Sequence, residues 1–141
     1  MDSAIRIDRR LHDLVSDTFR LGLSLAAASE RIYPLVAIIE AGIMEHKVFV
    51  DQQGRNHAAL AEAYIAALPP HVSMYAYLRP DTAPVGGRQS EVLVVEAEAR
   101  GMEQSVRFVQ PYAPKRFLRP FRALSQPYQA GLGRRRLKPV E

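Results

Sequence analysis

The sequence predicts an α+β fold, a two-layer sandwich in which two helices cover one face of a mainly antiparallel, five-stranded sheet. Three observations predict this fold. Apolar residues repeat with helical spacing over residues 3–29 and 56–68, apolar and polar residues alternate over residues 72–79, and residues 91–112 have the pattern of a β-hairpin. With two more strands placed between the helices, the expected order of elements is α-β-β-α-β-β-β.

The first helix is predicted over residues 3–29, because its apolar residues recur at steps of three and four. After Arg20 the sequence LGLSLAAAS is apolar on most sides, which indicates contact with the body of the protein or with a second chain. We favour the interpretation that this helix covers the sheet over the alternative that it is a dedicated partner site. The apolar set includes Ile7, Leu11, Leu14, Val15 and Phe19.

The stretch 34–44 allows two interpretations. It can hold a strand over 35–39 and a bend at 41–42, with a second strand over 47–50. Alternatively, Pro34 can be the first residue of a helix, a position where proline is well tolerated. The content of β-branched residues favours the strands.

The second helix and the strand after it have clearer boundaries. Asn56 can cap a helix over residues 56–68, and two consecutive prolines end it. The alternating segment 72–79 follows as a strand. Residues 80–90 contain two prolines and two adjacent glycines, so we expect a long, mobile connection there.

The hairpin over residues 91–112 can be tested by its registers. A two-residue loop at Gly101-Met102 suits a type II′ turn, whose first central position favours glycine. A loop starting at Arg100 instead would place two glutamates opposite each other, which is unfavourable. The favoured register pairs Glu98 with Ser105, Ala97 with Val106, Glu96 with Arg107, and Val95 with Phe108.

The composition indicates one globular domain with a basic end. The chain has 141 residues, of which 48% are hydrophobic, and no cysteine, so disulfides and thiolate chemistry are excluded. Residues 1–112 hold 11 Lys/Arg and 14 Asp/Glu (net −3), whereas residues 113–141 hold eight Lys/Arg and one Glu (net +7). We predict a folded domain over 1–124 and a disordered basic tail over 125–141. No apolar run approaches the ~20 residues of a membrane span, and a cytoplasmic location is expected.

Motifs for catalysis, cofactors and metals are missing from the sequence. The four histidines are scattered without ligand spacing, so neither a metal nor a cofactor is predicted. Glu96 and Glu98 project from one face of a strand and could act as a general acid and base. We favour the structural interpretation, in which Arg107 lies across from Glu96 and neutralises it.

A contact surface is predicted where the strands 72–79 and 91–98 pair, because their polar faces then join. Tyrosine and arginine around an apolar centre are typical of protein interfaces, which favours a homo-oligomer or another protein as partner. The alternative is an ordinary outer face with solvated tyrosines. The candidate surface consists of Tyr75, Tyr77, Arg79, Glu96, Glu98 and Arg107.

The basic tail is the second candidate site. Clustered Lys and Arg attract polyanions, so the tail could hold nucleic acid in a salt-sensitive, nonspecific manner. The competing interpretation is a tail that is simply solvated. The candidate anion contacts are Arg134, Arg135, Arg136 and Lys138.

Short motifs over residues 30–112 add a resemblance. Tyr33-Pro34 leads an apolar strand, and an alanine-rich helix and a Pro/Gly loop follow. The remaining motifs are Val48-Phe-Val-Asp51 before a polar turn, Gln89-Ser90 entering a strand with Glu96, a turn at Gly101, and Pro111-Tyr112. In these features the chain is similar to a group of small, uncharacterised bacterial α+β proteins. The resemblance implies a bacterial intracellular domain with the predicted strand order, and it supplies no catalytic residues.

The function that the sequence favours is a non-enzymatic intracellular binding or interaction domain that associates with itself. The alternative is a nucleic-acid-associated protein that uses its basic C-terminal segment. A third hypothesis is an enzyme with a site around Glu96.

Overall fold

A computed structural model of the chain describes residues 8–29, 32–49, 57–113, 122–133 and 135–137. These ranges hold two helices and seven strands. In chain order they are α1 (Arg9–Ser29), β1 (Leu35–Glu40), β2 (Ile43–Val48), α2 (His57–Ala66), β3 (Val72–Val85), β4 (Arg88–Ala99), β5 (Val106–Ala113), β6 (Arg122–Ala123) and β7 (Tyr128–Leu132).

The strands form one antiparallel sheet in the order β2-β1-β3-β4-β5-β6, and β7 also pairs with β5. Strands β6 and β7 lie one after the other along the outer edge of β5, because β6 pairs with residues 112–113 and β7 with residues 106–109. The α+β class is confirmed. The first seven elements follow one another as α-β-β-α-β-β-β, but the full order differs from the predicted one because β6 and β7 follow. The predicted number of five strands is too low, because β6 and β7 come from the basic end of the chain.

The stretch 34–44 forms two strands and not a helix. A two-residue turn joins β1 to β2, with positive φ at both Ala41 (52°) and Gly42 (78°), the backbone that a type I′ hairpin requires. Strand β1 is buried on both faces over its first four residues, which explains its continuous apolar run.

The two helices cover opposite faces of the sheet, so the prediction that both lie on one face is wrong. Along β1 and β3, successive side chains point to opposite sides, and both sides are apolar enough to require cover. The α1 face carries Leu35, Ala37, Met74, Ala76, Leu78, Leu93, Val95, Ala97, Val106 and Phe108, and α1 packs on it. The α2 face carries Val36, Ile38, Tyr75, Tyr77, Val94, Glu96, Glu98, Arg107 and Val109, and α2 packs on the β1 and β3 part of it.

The hairpin of β4 and β5 has the predicted register from Ala97 and Val106 onward. The predicted two-residue loop at Gly101-Met102 is wrong, and the predicted pair of Glu98 with Ser105 lies outside the ladder. Ala97 pairs with Val106 and Val95 with Phe108. The N–H of Met102 donates to the carbonyl of Ala99 (3.1 Å), so the tight turn spans Arg100-Gly101 and places the positive φ of Gly101 (98°) at its second central position. Continued pairing from this turn would place Ala97 opposite residue 104, whereas Ala97 pairs with Val106. Two extra residues on the β5 side, at 103–104, account for this difference.

The predicted mobile connection over residues 80–90 is instead the end of a long hairpin. Strands β3 and β4 pair up to Val85 and Arg88, and Gly86-Gly87 form the turn with φ of 59° and 81°. The ladder tolerates Pro80 and Pro84 because their nitrogens point away from β4, towards the edge that β1 no longer covers beyond residue 78.

No helix in the described ranges combines the length and the apolar character needed to cross a membrane.

Candidate functional site

Charged and aromatic side chains cluster on the α2 face. Tyr77, Glu96 and Arg107 stand side by side on β3, β4 and β5, and Tyr75 stands beside Glu98 in the next row. Side chains two residues apart on a strand share a face, so the six residues of the predicted contact surface lie together. We call this group, with Glu62 and Ser105 beside it, the charged cluster.

The charged cluster is not an open surface. The exposed fraction of the side chain is at most 2% for Tyr75, Tyr77, Glu96 and Glu98, and Arg79 is 23% exposed. Helix α2 covers the cluster from one side, and the last described residues of the chain cover it from another. These side chains are therefore unavailable as the open contact face that the sequence predicted.

The cover at the C-terminus begins at the end of β7. We call Gly133 and residues 135–137 the C-terminal segment. The N–H of Gly133 donates to the carbonyl of Ser105 (3.0 Å), which continues the pairing along β5. A Cβ at Gly133 would overlap the Glu96 carboxylate and the Ser105 hydroxyl. Glycine is therefore needed for this close approach of the backbone to the charged cluster.

Arg136 inserts into the charged cluster and bridges two carboxylates. Its Nη1 lies 2.7 Å from Oε1 of Glu62, and its Nη2 lies 3.3 Å from Oε2 of Glu96. Its Nε donates to the other oxygen of Glu96 (3.3 Å), so the guanidinium binds that carboxylate through two nitrogens. Burial acts to lower the pKa of Arg136, but the hydrogen bond to Glu62 and the charge of Glu96 outweigh it and raise the pKa.

Glu98 holds the backbone of the same segment. It accepts hydrogen bonds from the N–H of Arg136 (2.8 Å) and from the N–H of Leu137 (3.3 Å to each oxygen). The hydroxyl of Tyr75 donates to the same carboxylate (3.0 Å). The side chain of Leu137 is only 4% exposed and joins the apolar cluster of α2, β1 and β3. The sheet thus binds the main chain, the charge and the apolar side chain of one dipeptide.

Glu96 is neutralised by residues other than the one predicted. Arg107 does lie directly across from it, but the ion pairs of Glu96 within the described residues are with Arg136 and, at 3.7 Å, with Arg79. Ser105 donates a further hydrogen bond to Glu96 (2.8 Å). With Arg136 inserted, the described part of the site holds three carboxylates (Glu62, Glu96 and Glu98) and three guanidinium groups (Arg79, Arg107 and Arg136). The charges therefore balance, as buried charges require.

Three buried polar atoms of the charged cluster have no hydrogen-bond partner among the described residues. They are the hydroxyl of Tyr77, Nη1 of Arg79 and Nε of Arg107. Buried polar groups are normally hydrogen-bonded. Of the three, Nη1 of Arg79 is still 3.7 Å from Oε2 of Glu96, within ion-pair distance.

Burial also raises the pKa of both tyrosines of the cluster. For Tyr75 the nearby carboxylates of Glu98 and Glu96 add to this effect. For Tyr77 burial outweighs the opposing charge of Arg79. Both phenols therefore stay protonated at neutral pH and can act as hydrogen-bond donors.

The predicted anion contacts of the basic tail have different environments. Arg136 is bound to carboxylates and not directed at solvent. Arg135 is exposed, whereas Arg134 and Lys138 lie outside the described residues. The prediction of a disordered tail from residue 125 is wrong for β7 and for the C-terminal segment, which pair with β5 and pack on the α2 face.

A separate cleft of about 340 Å³ lies on the other side of the sheet, between α1 and the turn after β1. Its lining combines aliphatic and charged side chains, and one of the charged residues, Asp17, is already paired with Arg20. Within the described ranges, no three potential ligands lie where they could hold a metal ion. The lining consists of Arg10, Asp13, Leu14, Asp17, Ile39, Gly42, Met44, Ser73 and Met74.

The site also holds three residues that were not predicted from the sequence, namely Glu62, Gly133 and Leu137. One signal could have indicated them, namely the opposite charges of residues 1–112 (net −3) and residues 113–141 (net +7). Opposite charges on two parts of one chain favour contact between them.

No family model matches the chain, and neither the curated proteins nor the solved structures contain a significant match to it. The similarity to small bacterial α+β proteins therefore stays a prediction.

Proposed function

We propose that this protein is a non-enzymatic binding domain whose α2 face binds an Arg-Leu segment, a site filled here by its own Arg136 and Leu137. The observation that carries this proposal is the set of hydrogen bonds from that dipeptide. Its two backbone N–H groups go to Glu98, and its guanidinium goes to Glu62 and Glu96. Recognition of main chain and side chains together is typical of peptide-binding sites.

The hydrogen bonds that the carboxylates of Glu96 and Glu98 already accept favour a binding role over proton transfer. Glu98 accepts from Tyr75, Arg136 and Leu137, and Glu96 accepts from Ser105 and Arg136. A general base needs a free lone pair directed at its substrate, whereas these oxygens are directed at donors of the chain itself. The absence of cysteine suits a cytoplasmic domain, which is part of the proposal.

The proposal implies that the protein's own C-terminal segment competes for the α2 face with a separate peptide of the same sequence. A tethered ligand has an effective concentration in the millimolar range, so micromolar peptide does not displace it. Leu137→Asp should release the tether, because a carboxylate would then be buried among apolar groups and beside Glu98.

The test measures binding of a fluorescent peptide with the sequence of residues 128–141 to full-length protein by anisotropy. We expect Leu137→Asp protein to bind it at least about tenfold more tightly than the wild type, because its site is vacant. Arg135→Ala is the matched control and should bind as weakly as the wild type, since Arg135 is exposed. Circular dichroism verifies that each variant is folded.

The second arm of this test changes the peptide. A peptide with alanine in place of Arg136 should lose most of its affinity for the Leu137→Asp protein. Equal binding of the two peptides, or no binding by folded Leu137→Asp protein, would show that the α2 face is not a site for this segment.

A further inference from the structure

In the described part of the chain, strand β2 forms an open edge of the sheet. Its inner side pairs with β1, and no described strand lies along its outer side. The side chains of Ile43, Glu45, His46 and Lys47 are exposed, Ile43 to 65%. An open strand edge can pair with another chain through its free N–H and C=O groups.

The hydrogen-bond pattern identifies which groups point outward. The N–H of Phe49 donates to the carbonyl of Pro34 (2.9 Å), so the odd-numbered residues of β2 exchange hydrogen bonds with β1. The N–H and C=O groups of Met44, His46 and Val48 therefore point away from the sheet. These three residues are the ones that a further antiparallel strand would pair with.

A second copy of β2 can pair with this edge in one register that places opposite charges across from each other. If His46 pairs with His46 of the second copy, Glu45 lies opposite Lys47 of the second copy, and Lys47 lies opposite its Glu45. Met44 then lies opposite Val48 of the second copy. The two adjacent registers would place Glu45 opposite Glu45, or Lys47 opposite Lys47, and like charges directly opposite each other are destabilising.

The local environment of Lys47 suits this arrangement. Its Nζ lies 5.5 Å from the ring centre of Phe49 and 5.2 Å from that of Tyr64. These contacts hold the ammonium group on the α2 side of the sheet. Glu45 lies two residues away on the same strand and projects from the same side.

We infer that two copies of this protein associate through antiparallel pairing of their β2 strands, with His46 on the two-fold axis and two Glu45–Lys47 ion pairs across it. The association joins the two sheets into one continuous sheet. It uses an isologous interface, in which the same strand contributes from both copies. The pairing is independent of the C-terminal segment, which lies on the α2 face near β4 and β5.

Exchanging the charges at positions 45 and 47 tests the register. Sedimentation velocity of full-length protein from about 1 µM to 1 mM measures the dissociation constant of the dimer. Glu45→Lys and Lys47→Glu should each raise the dimer dissociation constant at least about tenfold, because each creates two like-charge pairs. The double variant, Glu45→Lys with Lys47→Glu, restores opposite charges and should dimerise within about threefold of the wild type.

His46→Pro tests the edge itself. Proline at this position removes an outward N–H without removing a hydrogen bond to β1, so the monomer should stay folded and the dimer should be lost. The inference is overturned if the wild type is monomeric throughout the concentration range, or if His46→Pro leaves the dimer unchanged. It is equally overturned if the double variant fails to recover from the loss that the single variants cause.

Discussion

At the scale of single residues, Arg136 has a large expected effect on stability. Its side chain is 12% exposed and bridges Glu62 and the fully buried Glu96. Removing one partner of a buried ion pair leaves the other charge uncompensated, and this costs more than the pair itself contributes. Its neighbour Arg135 is exposed and provides a control of the same residue type.

Arg136→Ala should lower the free energy of unfolding by roughly 3 kcal/mol, because the carboxylate of Glu96 stays buried without its main cation. Arg135→Ala should change it by less than about 0.5 kcal/mol. Urea denaturation of the two variants measures both values. Equal effects of the two substitutions would contradict the role assigned to Arg136.

Gly133→Ala should detach the C-terminal segment, because its Cβ would overlap the Glu96 carboxylate and the Ser105 hydroxyl. The expected loss of stability is about 1–3 kcal/mol, the usual cost of overpacking. Gly87→Ala is the control, since no atom of the described residues lies within 4 Å of its added Cβ and its positive φ of 81° is the one feature that opposes it. We also expect Gly133→Ala, and not Gly87→Ala, to bind the peptide of residues 128–141 in the anisotropy assay.

Ala41 is strained, because a residue with a Cβ occupies a left-handed conformation at φ 52°. Ala41→Asn should raise the free energy of unfolding by about 0.5–1 kcal/mol, since Asn-Gly is the preferred type I′ pair. The midpoint of urea denaturation measures the change. A lowered midpoint would contradict the turn assigned between β1 and β2.

At the scale of elements, β3 carries two tyrosines that make stability depend on alkaline pH. Burial raises the pKa of Tyr75 and of Tyr77 above the value of about 10 in the unfolded chain. A tyrosine whose pKa is higher in the folded state than in the unfolded chain stabilises the fold fully below pH ~10. This stabilisation is lost as the pH rises further. The unfolded chain releases these protons first, so high pH favours unfolding.

The free energy of unfolding should therefore fall above pH ~10, by at most about 1.4 kcal/mol per pH unit for each buried tyrosine. Tyr75→Phe should make this decline shallower. The matched control is Tyr128→Phe, because Tyr128 is 42% exposed and should leave the pH dependence unchanged. Equal slopes in all three proteins would contradict a buried, protonated Tyr75.

The elements also differ in how well the sequence predicted them. The register of β4 and β5 followed from cross-strand pairing, because a one-residue slip would turn Val95 and Ala97 away from the core. The end of the β3–β4 hairpin was mistaken for a loop because Pro80 and Pro84 suggest a break. Whether a proline breaks a ladder depends on which edge its nitrogen faces, and local sequence does not contain that information.

At the scale of the whole molecule, the faces of the sheet were the part that sequence patterns could not predict. The alternation of residues in β3 identified which side chains share a face of the sheet. Both faces are buried, however, and the pattern does not specify which helix covers each face. The charged cluster was placed on one face from pairing alone. Its cover was missed because Arg136 and Leu137 reach Glu96 and Glu98 across about 40 residues of chain, a long-range contact without local periodicity.

The proposed function requires that the α2 face binds an Arg-Leu segment and that the protein fills this site with its own. Amide hydrogen exchange at Arg136 and Leu137 in the wild type tests this requirement, since Glu98 accepts from both amides. The measurement is repeated with unlabelled peptide of residues 128–141 at about 5 mM, above the millimolar effective concentration of a tethered segment.

Without peptide, both amides should exchange at least about 100-fold more slowly than in an unstructured chain. With peptide, they should lose this protection while the amides of β4 and β5 keep theirs, because the added segment takes the place of the protein's own. Unprotected amides at Arg136 and Leu137, or protection that 5 mM peptide leaves unchanged, would contradict the proposed function.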